Sequence, residues 1–287
     1  MKKILVTGAN GQLGSELRKI GPLYPSFAFD YIDIDTLDLS NKQVFSRYFG
    51  RNHFDYILNC AAYTAVDKAE TETQKAFLLN AEVPGMLQAV CTKNKSRLIH
   101  MSTDYVFDGR ACEPYVETDP ANPQSVYARS KLAGEQEVLK NPDNIIIRTS
   151  WLYSVHGANF MKTMLRLGKE RKSLNVVFDQ VGNPTSAADL ADTLLKICSH
   201  LESTGDKNGG IYHYSNEGVC SWYDFALEIM ELAGLNCQIN PITSDQYPSR
   251  VKRPAFSVLN KAKIKATFGL EIPHWKKSLK KVVKTLT

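Results

Sequence analysis

No stretch of this chain is apolar for long enough to cross a bilayer, which takes about 20 residues. A secretory signal is not expected either. Lys2-Lys3 runs straight into Ile4-Leu5-Val6, too short for a signal's apolar region and broken at once by Thr7-Gly8. Cys-x-x-Cys pairs are missing, and the six thiols at positions 60, 91, 112, 198, 220 and 237 are scattered. Together these features predict a cytoplasmic protein with reduced cysteines and no membrane partner. The six histidines lack ligand spacing, so no metal site is expected from the residues. Charge of one sign is scarce: a net +5 is spread along the sequence. That argues against a nucleic-acid partner, which calls for a clustered basic surface, yet suits an anionic small substrate. Repeats and low-complexity tracts are absent as well.

What remains is an ordinary globular composition, 43% apolar and 23% charged. A length of 287 residues accommodates one large α/β domain, alone or with a smaller companion. The first half alternates. Short apolar runs predict strands at 3–7, 29–34, 56–59, 97–102 and 145–148, and helical spacing predicts helices at 12–20, 41–48, 73–93 and 127–139. Strand–helix alternation implies a doubly wound parallel sheet of Rossmann type, with ligands at the carboxyl ends of its strands. After Trp151 the rhythm is irregular, with helices expected at 159–171, 187–200 and 221–235 and a strand at 211–214. We expect a dinucleotide-binding domain over 1–150 and mainly a smaller α/β substrate-binding lobe over 151–287. Segments near 170–215 are expected to return partly to the first domain.

Where the first strand gives way to the first helix stands Gly8-Ala-Asn10-Gly11-Gln12-Leu13-Gly14. Glycines there permit a tight turn, close backbone approach to a pyrophosphate and tight helix–strand packing, while the helix start offers free N–H groups. The spacing is G-x-x-G-x-x-G rather than G-x-G-x-x-G, and a lone glycine triplet is weak evidence. Its position after the first strand and the acidic Asp33 downstream strengthen it. Asp33 should accept hydrogen bonds from the adenosine ribose and repel a 2′-phosphate. Ile34 follows where an arginine would have welcomed NADPH, so the balance between NADH and NADPH tilts toward NADH. Asp38 and Leu39 are expected beside the adenine, although Asp38 also fits a plain turn carboxylate.

Tyr127 and Lys131 lie four residues apart on the helix expected at 127–139 and so share a face. An ammonium beside a phenol favours the phenolate and draws its pKa down from about 10. Such a pair makes a proton donor for a carbonyl under reduction. On its own, an i,i+4 Tyr/Lys pair is an accident of any helix. Here it accompanies the glycine turn and Ser102-Thr103-Asp104, whose threonine closes a strand and can reach a substrate ketone. Trp151 and Tyr153 follow the strand at 145–148, where flat rings could line a sugar or a base, with core packing the alternative for Tyr153. Asn159 is an extra donor, and Tyr105 is either a substrate contact or a packed aromatic. Arg250, Lys252 and Arg253 form the one dense basic cluster, suited to a diphosphate. Met161 and Met164 read as core, and the lysines at 276, 277, 280, 281 and 284 as a solvated helix face.

Thr7-Gly8-x-x-Gly11-x-x-Gly14, Asn59-Cys60-Ala61-Ala62, Ser102-Thr103-Asp104 and Tyr127-x-x-x-Lys131 together resemble the extended short-chain dehydrogenase/reductase superfamily. Within it, nearly the whole chain is similar to the dTDP-4-dehydrorhamnose reductase family. The motifs that carry this are Ala62-Tyr63-Thr-Ala-Val-Asp-Lys-Ala-Glu70, Ser102–Gly109, Arg148-Thr-Ser-Trp-Leu-Tyr153, Asn159-Phe160, Asp179–Thr185 and Lys252-Arg-Pro-Ala-Phe-Ser257. The resemblance implies a nucleotide-sugar substrate whose 4-keto group is reduced to give dTDP-L-rhamnose. It assigns Thr103, Tyr127 and Lys131 to catalysis, with Lys131 holding the nicotinamide ribose. Ala61, Ala62 and Tyr63 fall to the coenzyme and Asp104, Tyr105 and Arg253 to the substrate. Dehydratases of the superfamily carry Asp-Glu after the threonine; Tyr105 in the second place argues against dehydration. An epimerase that keeps its NAD, or a non-catalytic subunit, stays open at this point. So does the choice between monomer and homodimer, and a magnesium ion is implied only by some relatives.

Overall fold

Continuous apolar runs become a sheet covered on both faces. The structure, a computed structural model, describes residues 1–287 except Pro248 and Arg250. Six parallel strands form its centre: β1 (Lys2–Thr7), β2 (Phe27–Ile32), β3 (Tyr56–Asn59), β4 (Arg97–Thr103), β5 (Ile145–Thr149) and β6 (Gly210–His213). Their order across the sheet is β6-β5-β4-β3-β1-β2. Ile4, Leu5, Val6, Leu58, Ile99 and Ile145 to Ile147 are fully enclosed, as strands with helices on both faces require. The chain leaves β1 toward β2 on one side and later adds β3 on the other. This reversal opens a crevice at the carboxyl ends of β1 and β3, where Thr7 is in register with Asn59.

Helix α1 (Gln12–Ile20) follows β1, and α2 (Lys42–Phe49) is capped by the Asn41 side chain, which accepts from the N–H groups of Gln43 and Val44. The helix expected over 73–93 is continuous but not uniform. It runs as Thr73–Phe77, a π-helical turn Leu78–Glu82, and α3 (Val83–Asn94). The π turn carries Asn80, whose buried amide donates to the Tyr63 carbonyl at 3.0 Å and to Ser130 Oγ at 2.9 Å. Helix α4 (Val126–Val138) starts at Ser125, which accepts from the Ala128 N–H, so Tyr127 falls in its first turn and Lys131 in its second. Strand β2 ends two residues before the expected boundary. Asp33 accepts from the Ile34 N–H at 2.7 Å, and a local turn replaces strand pairing there.

A second core gathers Tyr153, Met161, Leu174, Phe225, Ile229 and Trp275. It lies among α5 (Phe160–Glu170), α7 (Trp222–Ala233), α8 (Trp275–Leu286) and a small parallel sheet of Ser173–Val177 with Gln238–Ile242. Helix α6 (Ala187–Thr204) joins the first core instead: Leu190, Leu194 and Leu195 share a cluster with Leu13 and Leu17. Strand β6 likewise pairs with β5. Met161 and Met164 are core, and the lysines of α8 form its exposed face while Leu279 and Val283 point inward. No helix among the described residues is long and apolar enough to cross a membrane.

Candidate active site

The β1–α1 turn is built for a backbone to come close. Gly8 has φ +64°, and a side chain there would stand 2.7 Å from the Ala61 nitrogen. At Gly14 an added Cβ would overlap the Gly8 carbonyl oxygen and lie 2.5 Å from Ala9 Cα, so α1 could not seat against the turn. Gly11 is the N-cap of α1 and supplies no side-chain acceptor, which leaves the N–H groups of the first turn free for an anionic ligand. From this turn a cleft of about 830 Å³ runs along the carboxyl edge of the sheet to Tyr127 and Lys131. Its volume and its glycine cradle fit a dinucleotide with a sugar ligand beyond it.

Gly8, Asn10, Gly11, Gln12, Leu13, Gly14, Asp33, Asp38, Leu39, Ala61 and Ala62 all line this cleft. Asp33 Oδ2 accepts from the Asn10 N–H at 2.8 Å, tying the glycine turn to the end of β2. The Asn10 amide also donates to Asp35, at 3.2 and 3.3 Å, so a second carboxylate faces the same corner. Asp38 accepts from the backbone and hydroxyl of Ser40, at 2.9 and 2.6 Å, and shapes its own turn. Tyr63 is not part of the cleft wall. Asn80 grips its backbone, and its ring belongs to a cluster with Ala69, Ala76 and Val126.

At the far end stand Thr103, Asp104, Tyr105, Tyr127, Lys131 and Trp151. Thr103 Oγ1 donates to Asp104 Oδ1 at 2.9 Å and accepts from the Tyr105 N–H at 3.2 Å. The rings of Tyr105 and Tyr127 meet edge to face, centroids 5.7 Å apart. Burial pushes the Asp104 carboxyl up to about 7, against the Thr103 hydrogen bond and the nearby Ser257 hydroxyl, which favour its charge. Its second oxygen has no hydrogen-bond partner in the protein.

Here the structure departs from the sequence expectation. The Lys131 amine donates to the Met101 carbonyl oxygen at 2.6 Å and meets His100 Nε2 at 3.3 Å. No hydrogen bond joins it to the Tyr127 phenol, whose pKa is raised by burial, with the Thr103 hydroxyl opposing the rise and Asp104 adding to it. Desolvation acts on both groups against their charged forms. Lys131 itself is drawn down to about 8, chiefly by burial, with Glu135 opposing. The Lys131 amine is therefore engaged by β4 rather than by the Tyr127 phenol.

The remaining candidates lie at the rim. Trp151 adopts φ +47° and stacks on Trp222, while Gly182 leaves the room its indole needs. Asn159 is not on the cleft wall: it caps α5 through the Lys162 N–H, and its amide donates to Gln12 Oε1 at 2.9 Å. Arg253 donates to the Tyr105 hydroxyl at 3.2 Å and pairs with Asp67 at 2.7 Å. With Lys252 and Arg110 it lines a smaller hollow of about 90 Å³ beside the main cleft. Arg250 lies outside the described residues. Tyr153 is fully enclosed in the second core.

Sequence reasoning passed over His100 and Asn80 and gave Asn59 no role beyond its motif; all three are fully buried. The signal was present for His100 and Asn59: His100 interrupts the apolar run of β4, and Asn59 ends that of β3. It also passed over Glu135, whose carboxylate takes both Arg148 Nε and Nη2, at 2.9 and 2.7 Å, and so fastens α4 to β5. Among the described residues no three His, Cys, Asp or Glu side chains come together as a metal cage.

A family model described as the RmlD substrate binding domain matches residues 1–287. A dTDP-4-dehydrorhamnose reductase of Aggregatibacter actinomycetemcomitans is 39% identical over 289 residues, covering 98% of each chain. Two solved structures are similar throughout. A dTDP-4-dehydrorhamnose reductase from Clostridium acetobutylicum ATCC 824 is 43% identical with a TM-score of 0.93, covering 99% of both chains. One from Bacillus anthracis str. Ames, in complex with NADP, is 35% identical with a TM-score of 0.92, again covering 99% of both.

Proposed function

The chain belongs to the family of the RmlD substrate binding domain, and from that premise we propose that it reduces the 4-keto group of a dTDP-6-deoxy-4-keto-L-sugar with NAD(P)H to give dTDP-L-rhamnose. The observation that carries this reading is the convergence of Thr103, Tyr127 and Lys131 on the wall of one cleft whose other end is the glycine turn. The bound nicotinamide supplies the hydride. Thr103 holds the ketone oxygen by hydrogen bonding, and Tyr127 gives that oxygen its proton. Lys131 sits one turn away to anchor the nicotinamide ribose. The buried position of the phenol keeps it protonated until negative charge develops on the oxygen, which suits a general acid.

In this reading residues 1–150, with α6 and β6, hold the coenzyme, and the remainder of 151–287 supplies most of the sugar side. Asp33 and Asp35 place two carboxylates at the ribose corner and favour NADH over NADPH. Asp104 and Tyr105 meet the sugar, Trp151 closes over it, and Arg253 with Lys252 receives the diphosphate. The six cysteines are free thiols, in keeping with a cytoplasmic enzyme. No step is assigned to magnesium.

The test is a coenzyme-oxidation assay with dTDP-4-keto-6-deoxy-L-lyxo-hexulose, comparing NADH with NADPH. Stoichiometric oxidation with formation of dTDP-L-rhamnose is the expected result. Coenzyme binding without oxidation would turn the reading toward a non-catalytic subunit. Epimerised product without net oxidation would turn it toward an epimerase.

A further inference from the structure

His100 is a buried imidazole in the middle of β4 that the reaction above does not use. Its surroundings fix its state. Thr7 Oγ1 accepts from the Ala61 N–H at 3.3 Å and donates to Asn59 Oδ1 at 2.6 Å. This sets the orientation of the Asn59 amide, whose Nδ2 then faces His100 Nδ1 at 2.8 Å. An amide nitrogen only donates, so Nδ1 accepts and the ring hydrogen of a neutral imidazole resides on Nε2. Nε2 points at the Lys131 amine, 3.3 Å away. Burial and the neighbouring amine both hold the ring well below its ordinary pKa, and hence neutral.

We propose that His100 is a positioning residue for the reduction, locked by Asn59 through Nδ1 and seating the Lys131 amine through Nε2. The same lattice selects the charge on that amine. An Nε2–H can only donate to the lone pair of a neutral amine. An ammonium at the same place needs Nε2 as acceptor, which requires the Asn59 amide to turn over and break its bond from Thr7. The titratable and charged groups around Lys131 are Glu135 one turn on in α4, paired with Arg148 of β5; Cys60 after β3; His100 of β4; and Tyr127 one turn back. Glu135 and Cys60 favour the ammonium, whereas burial favours the amine. Two polar partners, the Met101 carbonyl and His100, thus determine where the Lys131 side chain ends relative to the nicotinamide ribose.

The inference rests on the reductase reading, and the test separates the two. Full-length parent, His100→Leu and His100→Gln proteins are compared by NADH binding, by kcat and KM across pH 6 to 10, and by thermal midpoint. The 15N shifts of the parent's imidazoles are measured alongside. In the parent we expect a neutral ring throughout that range, with its hydrogen on Nε2 above about pH 8, where the Lys131 amine is neutral. His100→Leu should lose about tenfold or more in kcat/KM, as a misplaced anchor does, and weaken NADH binding. His100→Gln, whose carbonyl can accept from an ammonium, should recover part of the loss and shift the limb set by the Lys131 amine to higher pH. Unchanged kinetics and pH profile in His100→Leu, or a protonated His100 ring in the parent at neutral pH, would overturn the proposal. So would equal losses in both variants that only follow their thermal midpoints. Should His100→Leu fail to fold, the His100→Gln profile and the parent's 15N shifts decide. A parent that reduces no keto sugar defeats the reductase reading instead, and leaves binding and ring state to judge His100.

Discussion

The indole of Trp151 lies against that of Trp222 with ring centroids 3.6 Å apart and planes 8° from parallel. Trp151 follows β5 and lines the cleft, whereas Trp222 opens α7 in the second core, so the stack joins the two. Trp151 also carries a backbone φ of +47°. A bulky residue in that region costs about 1–3 kcal/mol, and an aromatic pair returns about 0.5–1.5 kcal/mol beyond the area it covers. The stack and the space above Gly182 therefore hold a strained residue at the cleft wall.

Removing that support should loosen the sugar side more than the coenzyme side. For Trp222→Ala we expect a KM for the nucleotide sugar raised by about tenfold, equivalent to about 1.4 kcal/mol, with NADH affinity changed little. Steady-state kinetics with each substrate varied in turn measures both. A rise confined to the coenzyme would place the Trp151–Trp222 stack elsewhere in the cycle.

Tyr127→Phe removes the proposed proton donor and keeps the ring that packs edge to face on Tyr105. Loss of a general acid costs about 10²–10⁴-fold in rate, and we expect kcat to fall within that range while NADH binding stays within a few-fold of the parent. Because burial already disfavours the phenolate, the parent's activity should not require an ionised Tyr127 in the free enzyme. Full turnover by the variant would remove this hydroxyl from the mechanism.

Much of this site can be read along the chain, because its parts are local. The glycine turn, Ser102-Thr103-Asp104 and Tyr127-x-x-x-Lys131 each sit at the end of one element, and period and punctuation place those ends. Contacts made across elements are not visible in that way. Lys131 lies four residues from Tyr127 in sequence, yet its amine is drawn to Met101 and His100 on β4. Helical spacing gives a shared face but not the direction of a long side chain. Asn159 shows the same limit: it is expected as an extra substrate donor, whereas its amide is engaged by Gln12 and the start of α5. The π turn around Asn80 has no periodicity to betray it. It places one amide at Tyr63 and Ser130, and an added Cβ at Gly134 would collide with the Asn80 carbonyl.

In the proposed reading coenzyme choice turns on the corner where Asp33 accepts from the Asn10 N–H and Asp35 from the Asn10 amide. Two carboxylates there oppose the charge of a 2′-phosphate. Asp33→Ala removes one of them and the acceptor for the ribose hydroxyls. The ratio of kcat/KM with NADH to that with NADPH should fall by about tenfold or more, consistent with about 1.5–3 kcal/mol for a charged hydrogen bond. Measuring both coenzymes at fixed sugar concentration checks this, and an unchanged ratio would leave Asp33 as a turn former only.

Asp104 gives the molecule a pH dependence of known sign. Burial raises its carboxyl from 3.8 to about 7, so the folded protein binds this proton more tightly than the unfolded chain does. Its contribution to stability is complete below about pH 4 and is lost as pH rises toward and through 7. Asp104→Asn stays neutral throughout and lacks that slope. Across pH 4.5 to 8.5 the parent's thermal midpoint should therefore fall relative to the variant's by several degrees, since each kcal/mol moves a domain of this size by about 2–4 °C. The same ionisation sets a negative charge beside the Tyr127 phenol, where it makes proton release harder. Parallel melting curves for parent and variant over the whole range would mean that the Asp104 carboxylate is already charged in the folded protein, with a partner supplied at its free oxygen.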